Sequence, residues 1–361
     1  MGSHPTPKEG SAPLPRTVRL TDIAQSLGIA VSTVSMAISG DPKIAESTRT
    51  LVKAKADELG FRPNPTAQRL LKGFNPGEIA LVMHDLDHCI LTQTAREIRN
   101  ELAARGFRPT IHITPALEDG IQGQTDALRT LRHERPEAII CFLARVNSAP
   151  LEEIRRYRQE GGHVVSYFNP LPLDCDQVIF DEEHSTRRAV EHLISLGHRR
   201  IGFCTHGELD RDSYRCRGFL AAMAEAGLPV PEGYLLPGGL YEEGGCEIAH
   251  RFVALEERPT ALHIVNDAQV SGFIAELYRL GYRVPQYVSV VGTDDIAAAR
   301  SNWVPITTVS VPSHEIAEEV VSLLTRRIRD GYRGEPRTQT IRGELVVRST
   351  TAPPRQLGDR P

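Results

Sequence analysis

An all-α headpiece, a hinge helix and an α/β body are what these 361 residues ask for. Two short amphipathic stretches meet at a glycine within residues 20–37, and from residue 78 onward six apolar, β-branched blocks alternate with helical patterns. The charge is divided in the same way. Residues 1–72 hold 10 basic against 6 acidic side chains, a formal +4, and the remainder 32 against 40, a formal −8, within an overall −4. Every lysine (Lys8, Lys43, Lys53, Lys55, Lys72) lies in the first part. A basic segment on an acidic body attracts phosphate at one end and repels it at the other.

The elements follow in order. Ile23, Ala24 and Leu27 give the first helix an inward face, and Gly28 supplies a turn where a side chain would crowd the backbone. Val31, Val34 and Ala37 recur at spacing three, so they are expected to pack the second helix inward while Ser32, Thr33, Ser35 and Met36 look out. Small hydroxyls on such a helix reach base edges and phosphates in a major groove. The same window also suits a plain three-helix core with a polar face. Residues 44–60 read as a third helix with Ile44, Thr48, Leu51, Val52 and Leu59 on one side and Gly60 at its end. Asn64 suits an N-cap and Pro65 a first helical turn, so residues 65–71 read as a short helix that needs a partner to order.

In the body the blocks 78–83, 138–143, 164–168, 200–205, 261–266 and 288–292 have the character of parallel strands buried on both faces. Helical patterns at 186–196, 217–226 and 270–280 lie between them, which implies doubly wound α/β layers. Ligands in such sheets bind at the strand carboxyl ends. There stand His84, Asp85, Asp87 and His88 after the first block, Phe168 and Asn169 after the third, Asp267 after Asn266, and Asp294 with Asp295 after the last.

Asp22-Ile-Ala24, Ser32-Thr-Val-Ser35, Thr48-Arg49, Leu59-Gly-Phe-Arg-Pro-Asn64 and Ala67-Gln-Arg-Leu70 resemble the headpiece and hinge of the LacI/GalR family of bacterial transcription regulators. Ser195-Leu-Gly-His-Arg-Arg-Ile-Gly202, Arg215-Cys-Arg-Gly-Phe219, Asn266-Asp267, Val288-Ser-Val-Val-Gly-Thr-Asp-Asp295 and Val347-Arg-Ser-Thr350 resemble its effector domain in order and spacing, so the likeness spans about residues 18–351. The resemblance implies a headpiece at 17–62, a hinge helix and linker at 63–76, and a two-lobed, type I periplasmic-binding-protein-like effector and dimerisation domain at 77–351. Lobe 1 is expected at about 77–181 and 310–340, lobe 2 at about 182–309 and 341–351, with tails at 1–16 and 352–361. It further implies a homodimeric repressor of an approximately palindromic operator, read by Thr21, Val31, Ser32, Thr33, Ser35 and Met36, with Asn64, Ala67, Gln68 and Leu70 at the hinge. A small molecule, a sugar or sugar derivative, is expected between the lobes, held by His84, Asp85, His88, Phe168, Asp181, Arg215, Asn266 and Asp294. On residue chemistry alone, Asp294 and Asp295 also suit capping of the following helix, and Arg215 an ion pair with a carboxylate.

The chain departs from the family's pattern in places. His88-Cys-Ile-Leu91 stands where the family carries an Asn-Pro-Phe-Phe-like stretch, which predicts a less aromatic recess. Met36 replaces a frequent base-reading arginine or histidine, and Arg19, Ala30 and Ala45 stand where capping Ser or Thr is usual. Each missing cap costs about 0.5–2 kcal/mol. His84 and His88 with two interleaved aspartates also have the spacing of metal ligands, although effector contact is the reading adopted and no metal or cofactor is expected.

No triad, P-loop or H-E-x-x-H motif points to an enzyme. No run approaches the eighteen or so apolar residues of a membrane span, and the first ten residues have no apolar core of a signal peptide, so a cytoplasmic protein is expected. The six scattered cysteines form no C-x-x-C pair and read as reduced thiols, Cys141 and Cys204 inside strands.

Overall fold

The computed structural model describes residues 18–38, 43–61, 73–114, 120–143 and 147–355. The chain divides into two compact units at Asn75/Pro76. In the first, α1 (Leu20–Leu27), α2 (Val31–Ile38) and α3 (Glu46–Glu58) surround a small core of Ile23, Ala24, Val34, Ala37, Val52 and Ala56. α1 ends at Gly28, whose φ of 65° is the left-handed conformation that glycine adopts without a Cβ penalty. Arg19 has no acceptor to cap with, and the cap is supplied from the other side: Asp22 Oδ2 accepts the Arg19 backbone N–H at 2.8 Å. Ala45 provides no side-chain cap to α3.

Two packing expectations need correction here. Val31 is 42% exposed and Leu51 56% exposed, so neither belongs to the core. With eight residues, α2 buries only the narrow stripe Val34–Ala37, and Val31 falls one turn too early to reach it. Leu51 has Val52 beside it, and the core takes Val52.

The second unit holds two six-stranded sheets. The first has the order β11-β5-β4-β3-β1-β2, made of β1 (Asn75–His84), β2 (Arg108–Thr114), β3 (Pro136–Cys141), β4 (His163–Phe168), β5 (Asp176–Phe180) and β11 (Thr338–Ile341). The second, β12-β10-β9-β8-β6-β7, comprises β6 (Ile201–His206), β7 (Leu235–Gly238), β8 (Ala261–Ile264), β9 (Ser289–Asp294), β10 (Thr307–Ser310) and β12 (Leu345–Val346). Pairing is parallel, with Cys141 beside Ser166 and Phe203 beside His263, except that β12 runs antiparallel to β10 with Leu345 opposite Val309. Every residue of β8 and β9 is buried, as parallel strands covered on both faces require.

Helices α4 (Cys89–Ala104), α5 (Gly120–Glu134), α6 (Ser148–Gln159) and α12 (Ser313–Ile328) belong to the first sheet. α7 (Glu182–Ser195), α8 (Tyr214–Glu225), α9 (Tyr241–Ala254), α10 (Asp267–Arg279) and α11 (Ala297–Ser301) belong to the second. Each sheet with its helices forms a lobe, and the chain crosses between lobes after Phe180, after Ser310 and after Ile341. Two crossings are tied together: the Asp181 N–H donates to the Ile341 carbonyl at 2.9 Å, and Arg342 Nε donates to Asp181 Oδ2 at 3.1 Å. All six cysteines are free, and Cys141 and Cys204 are buried in strands. No single helix among the described residues is long and apolar enough to cross a membrane.

Candidate functional site

The strand carboxyl ends of the two lobes face each other across a cleft. Asp85, just past β1, accepts a hydrogen bond from the hydroxyl of Tyr241, the first residue of α9 in the other lobe. The His88 ring stands edge-on to Tyr241 at 6.0 Å, and His84 stacks on Phe142 at 5.0 Å. Phe168 closes this wall, its ring 5.9 Å from that of Phe142. Phe142, Phe168 and Tyr241 supply the aromatic rings of the cleft in place of residues 88–91.

The wall from the second lobe is ionic. Arg215, in the first turn of α8, pairs with Glu182 at the start of α7, Nη2 to Oε1 at 2.6 Å. Gly218 makes this pairing possible, since a Cβ there would lie 2.3 Å from the Glu183 carbonyl oxygen. Any side chain would push α8 off α7 and carry Arg215 away from Glu182. Asp294 ends β9 at 6% exposure and faces Arg215, Glu182 and Asp267. Asp295 turns elsewhere, to Arg348 at 2.6 Å and Arg300 at 3.0 Å. Neither aspartate caps α11, whose N-cap is Ile296.

Burial controls the protonation of these groups. His88 is pushed down to about 4, first by burial and then by the positive charge of His84 and Arg215. His206, at the exposed end of β6, is lowered by the protein packed around it and by Arg215, His88 and His84. His84 is lowered by burial, and its Nδ1 has no partner. His263, fully buried in β8, is lowered to about 4 by the same cause. All four imidazoles are therefore neutral at pH 7. Burial would raise Asp85, but the Tyr241 hydroxyl, the Asp87 N–H and the two nearby histidines together hold it below its ordinary value. Asp294 is raised well above the carboxylate range by burial and by Asp267, and Asp267 is itself raised to about 7, chiefly by burial.

Backbone conformation singles out the same place. Six non-glycine residues among those described have positive φ: Asp85, Arg135, Phe168, Tyr241, Asp294 and Asp295. Asp85, Phe168, Tyr241 and Asp294 are cleft residues, and Asp295 adjoins them. Such conformations cost of order 1–3 kcal/mol each and collect where the surroundings impose them for a purpose.

Other expected contacts have structural duties. Asn266 is the N-cap of α10: its Oδ1 accepts the Gln269 N–H at 2.8 Å and its Nδ2 donates to Gln269 Oε1 at 3.1 Å. Asp181 caps α7 by accepting the His184 N–H at 3.0 Å, and also holds Arg342. A cavity of about 430 Å³ lies beside these crossings, lined by Phe168, Asn169, Asp181, Glu182 and Tyr214 among others. A second, of about 420 Å³, opens at the opposite ends of β4 and β5 around His163 and Arg333 and touches none of the expected residues. Among the described residues no three His, Cys, Asp or Glu side chains are grouped closely enough to hold a metal ion, His84 and His88 included.

In the first unit Thr21, Val31 and Ser32 are exposed, and Thr33, Ser35 and Met36 are half-buried on α1 and α2. Asn64, Ala67, Gln68 and Leu70 lie outside the described residues. Sequence reasoning did not single out Glu182, His206, Phe142 or Tyr241. Glu182 follows a residue it did select, and Tyr241 follows a strand of only four residues.

Residues 19–64 match the lacI family of bacterial regulatory proteins, and residues 190–351 match a periplasmic binding protein-like domain. The chain is 27% identical over 332 residues to the HTH-type transcriptional repressor PurR of Photobacterium profundum, covering 92% of this chain and 98% of that one. With the ribose operon repressor of Escherichia coli (strain K12) it shares 29% over 311 residues, 86% of this chain and 92% of that one. The Lac repressor dimer bound to operator and the anti-inducer ONPF has the same fold, with a TM-score of 0.75 at 22% identity over 93% of this chain and all of that one. So does a complex of the transcriptional regulator CelR with cellobiose, at 0.66 and 23%, over 92% of this chain and all of that one. The headpiece and the two-lobed body lie in one continuous likeness to repressors: a lacI-family region at 19–64 followed by a periplasmic binding protein-like domain that reaches residue 351.

Proposed function

We propose that this protein is a cytoplasmic transcriptional repressor that binds an approximately palindromic operator as a homodimer and is controlled by a small polar molecule, a sugar or sugar derivative, in the cleft between its lobes. The observation that carries this reading is the cleft itself. Neutral imidazoles, aromatic rings and one Arg–carboxylate cluster converge there from strand carboxyl ends, in a chain that also carries a helix-turn-helix. PurR, the ribose operon repressor and an operator-bound Lac repressor dimer support the DNA end of the reading. Neighbours with bound cellobiose or ribose support the ligand end.

On this reading the headpiece covers residues 17–62, the hinge 63–76 and the effector domain 77–351. Thr21, Val31, Ser32, Thr33, Ser35 and Met36 meet the major groove, while Asn64, Ala67, Gln68 and Leu70 serve the minor groove, Leu70 as the wedge between base steps. His84, Asp85, His88, Phe168, Arg215 and Asp294 contact the ligand; Asp181 and Asn266 support the walls around it. DNA and ligand alter each other's affinity by the same factor, because the coupling is reciprocal.

Sequencing of genomic fragments retained by the purified full chain, followed by gel shifts on the enriched site, tests the proposal. Retention of one palindromic class is expected, and failure to enrich any sequence would leave only a small-molecule receptor. Leu70→Ala is expected to weaken operator binding by roughly 2–4 kcal/mol while random-sequence binding persists. Equal loss on both DNAs would remove the wedge role.

A further inference from the structure

We propose that Glu182 sets the charge selectivity of the cleft: by occupying Arg215 it excludes phosphate- and carboxylate-bearing molecules and leaves an uncharged, hydroxyl-rich ligand as the class that fits. The inference deepens the functional reading above and rests on it. An arginine lining a cleft is by default an anion receptor, with a planar fork matched to phosphate or carboxylate. Here that fork is taken. Asp181, Glu182 and Glu183 are three consecutive carboxylates, and each holds an arginine: Arg342 at 3.1 Å, Arg215 at 2.6 Å and Arg217 at 2.7 Å. The close approach of α8 to α7 at Gly218 fixes the middle pair in place.

The surroundings complete the argument. Among the described residues Arg215 is the one cation in this cluster, against the carboxylates of Glu182 and Asp85, while burial and Asp267 raise Asp294 well above the carboxylate range. His84, His88 and His206 add no positive charge at neutral pH. The cleft is neutral to negative overall, and an incoming anion would meet the Asp85 and Glu182 carboxylates without a free partner. A hydroxyl meets the opposite situation. Each neutral imidazole offers one donor and one acceptor, as a hydroxyl does, and the Phe142, Phe168 and Tyr241 rings cover apolar C–H faces.

The test uses the full chain and inorganic phosphate as the probe, titrated calorimetrically at constant ionic strength set by chloride. The unsubstituted protein is expected to show no saturable phosphate binding. Glu182→Gln, which frees the guanidinium with little change of shape, is expected to bind phosphate at least about tenfold more tightly. Glu182→Asp, which withdraws the carboxylate by one methylene, should move the same way to a smaller extent and decides the matter if the glutamine variant does not fold. Saturable phosphate binding by the unsubstituted protein that Arg215→Ala removes would overturn the proposal. So would folded Glu182 variants that gain nothing. Operator retention, measured on the same samples, separates the two readings: phosphate binding by the unsubstituted protein with its operator retention intact overturns the charge filter alone, and absence of sequence-selective retention by the unsubstituted protein overturns the repressor reading.

Discussion

The two walls of the cleft are built on different physics. The first lobe contributes rings: His84 on Phe142, His88 against Tyr241, Phe168 closing the end, with a single carboxylate, Asp85. The second contributes charge: Arg215 with Glu182, Asp294 beside them, and Asp267 buried behind with one oxygen unpartnered. A ring wall makes contacts of low individual energy that tolerate loss one at a time. In an ionic wall, removal of one member leaves the others charged and desolvated, so function and folding are entangled there.

Arg215→Ala is the largest expected break. It strands Glu182 on the second lobe and is expected to cost about 2–3 kcal/mol, less than for a fully buried pair because both side chains of the ion pair keep some solvent. It should also abolish the ligand response while operator binding persists. His88→Ala on the ring wall is expected to weaken the ligand response with a stability change within about 0.5 kcal/mol. Thermal melts of both variants check the contrast, and equal destabilisation would dissolve it.

The pH dependence of stability sharpens the same comparison. Asp267 is raised in the folded protein from an ordinary value near 3.9 to about 7, so its burial penalty is absent in acid, grows as pH rises through that window and is complete above it. Asp267→Asn keeps an acceptor for the Ile296 N–H and is expected to raise the melting temperature at pH 8 by a few degrees, with no gain at pH 4. The histidines act in the opposite sense. His88 and His263 are lowered to about 4, so stability is full above about 6.5 and is lost as pH falls toward 4. A melting profile that stays flat from pH 6.5 down to 4 would contradict this assignment.

A modest effect belongs to the contact that joins the walls. Tyr241→Phe removes one hydrogen bond between the lobes and is expected to cost about 0.5–1.5 kcal/mol, seen in melting and in a lower ligand affinity. Asp85→Ala should match it, since it removes the acceptor. A much larger loss in either would mean that the lobes depend on this link for their folding.

The sequence was informative where burial writes a pattern. The six apolar blocks correspond to β1, β3, β4, β6, β8 and β9, the inner strands of the two sheets, where both faces are covered. β2, β7, β11 and β12 lie at sheet edges, and β5 and β10 next to the edges; such strands are short or carry polar residues such as Thr-Gln-Thr-Ile and Arg-Pro-Thr-Ile-His-Ile-Thr, which no block rule detects. Arg215 and Asp294 were visible as polar residues near strand ends. Glu182 was not, because its pairing is fixed by how α8 rests on α7 at Gly218, a tertiary contact without local periodicity. Val31 shows the converse: spacing three placed it in the core, whereas a helix of eight residues buries too little to include it.

The backbone at Asp85 and Tyr241 carries a consequence for engineering. Both residues hold left-handed φ, 60° and 56°, where glycine would rest without strain. A library selected for heat resistance alone would therefore drift toward Gly at both positions, relieving the backbone and discarding the lobe-to-lobe hydrogen bond in the same step. The more robust the selected variants, the poorer their switching. Selection of a useful biosensor from this scaffold has to score ligand response and thermal tolerance together, with these two codons held fixed.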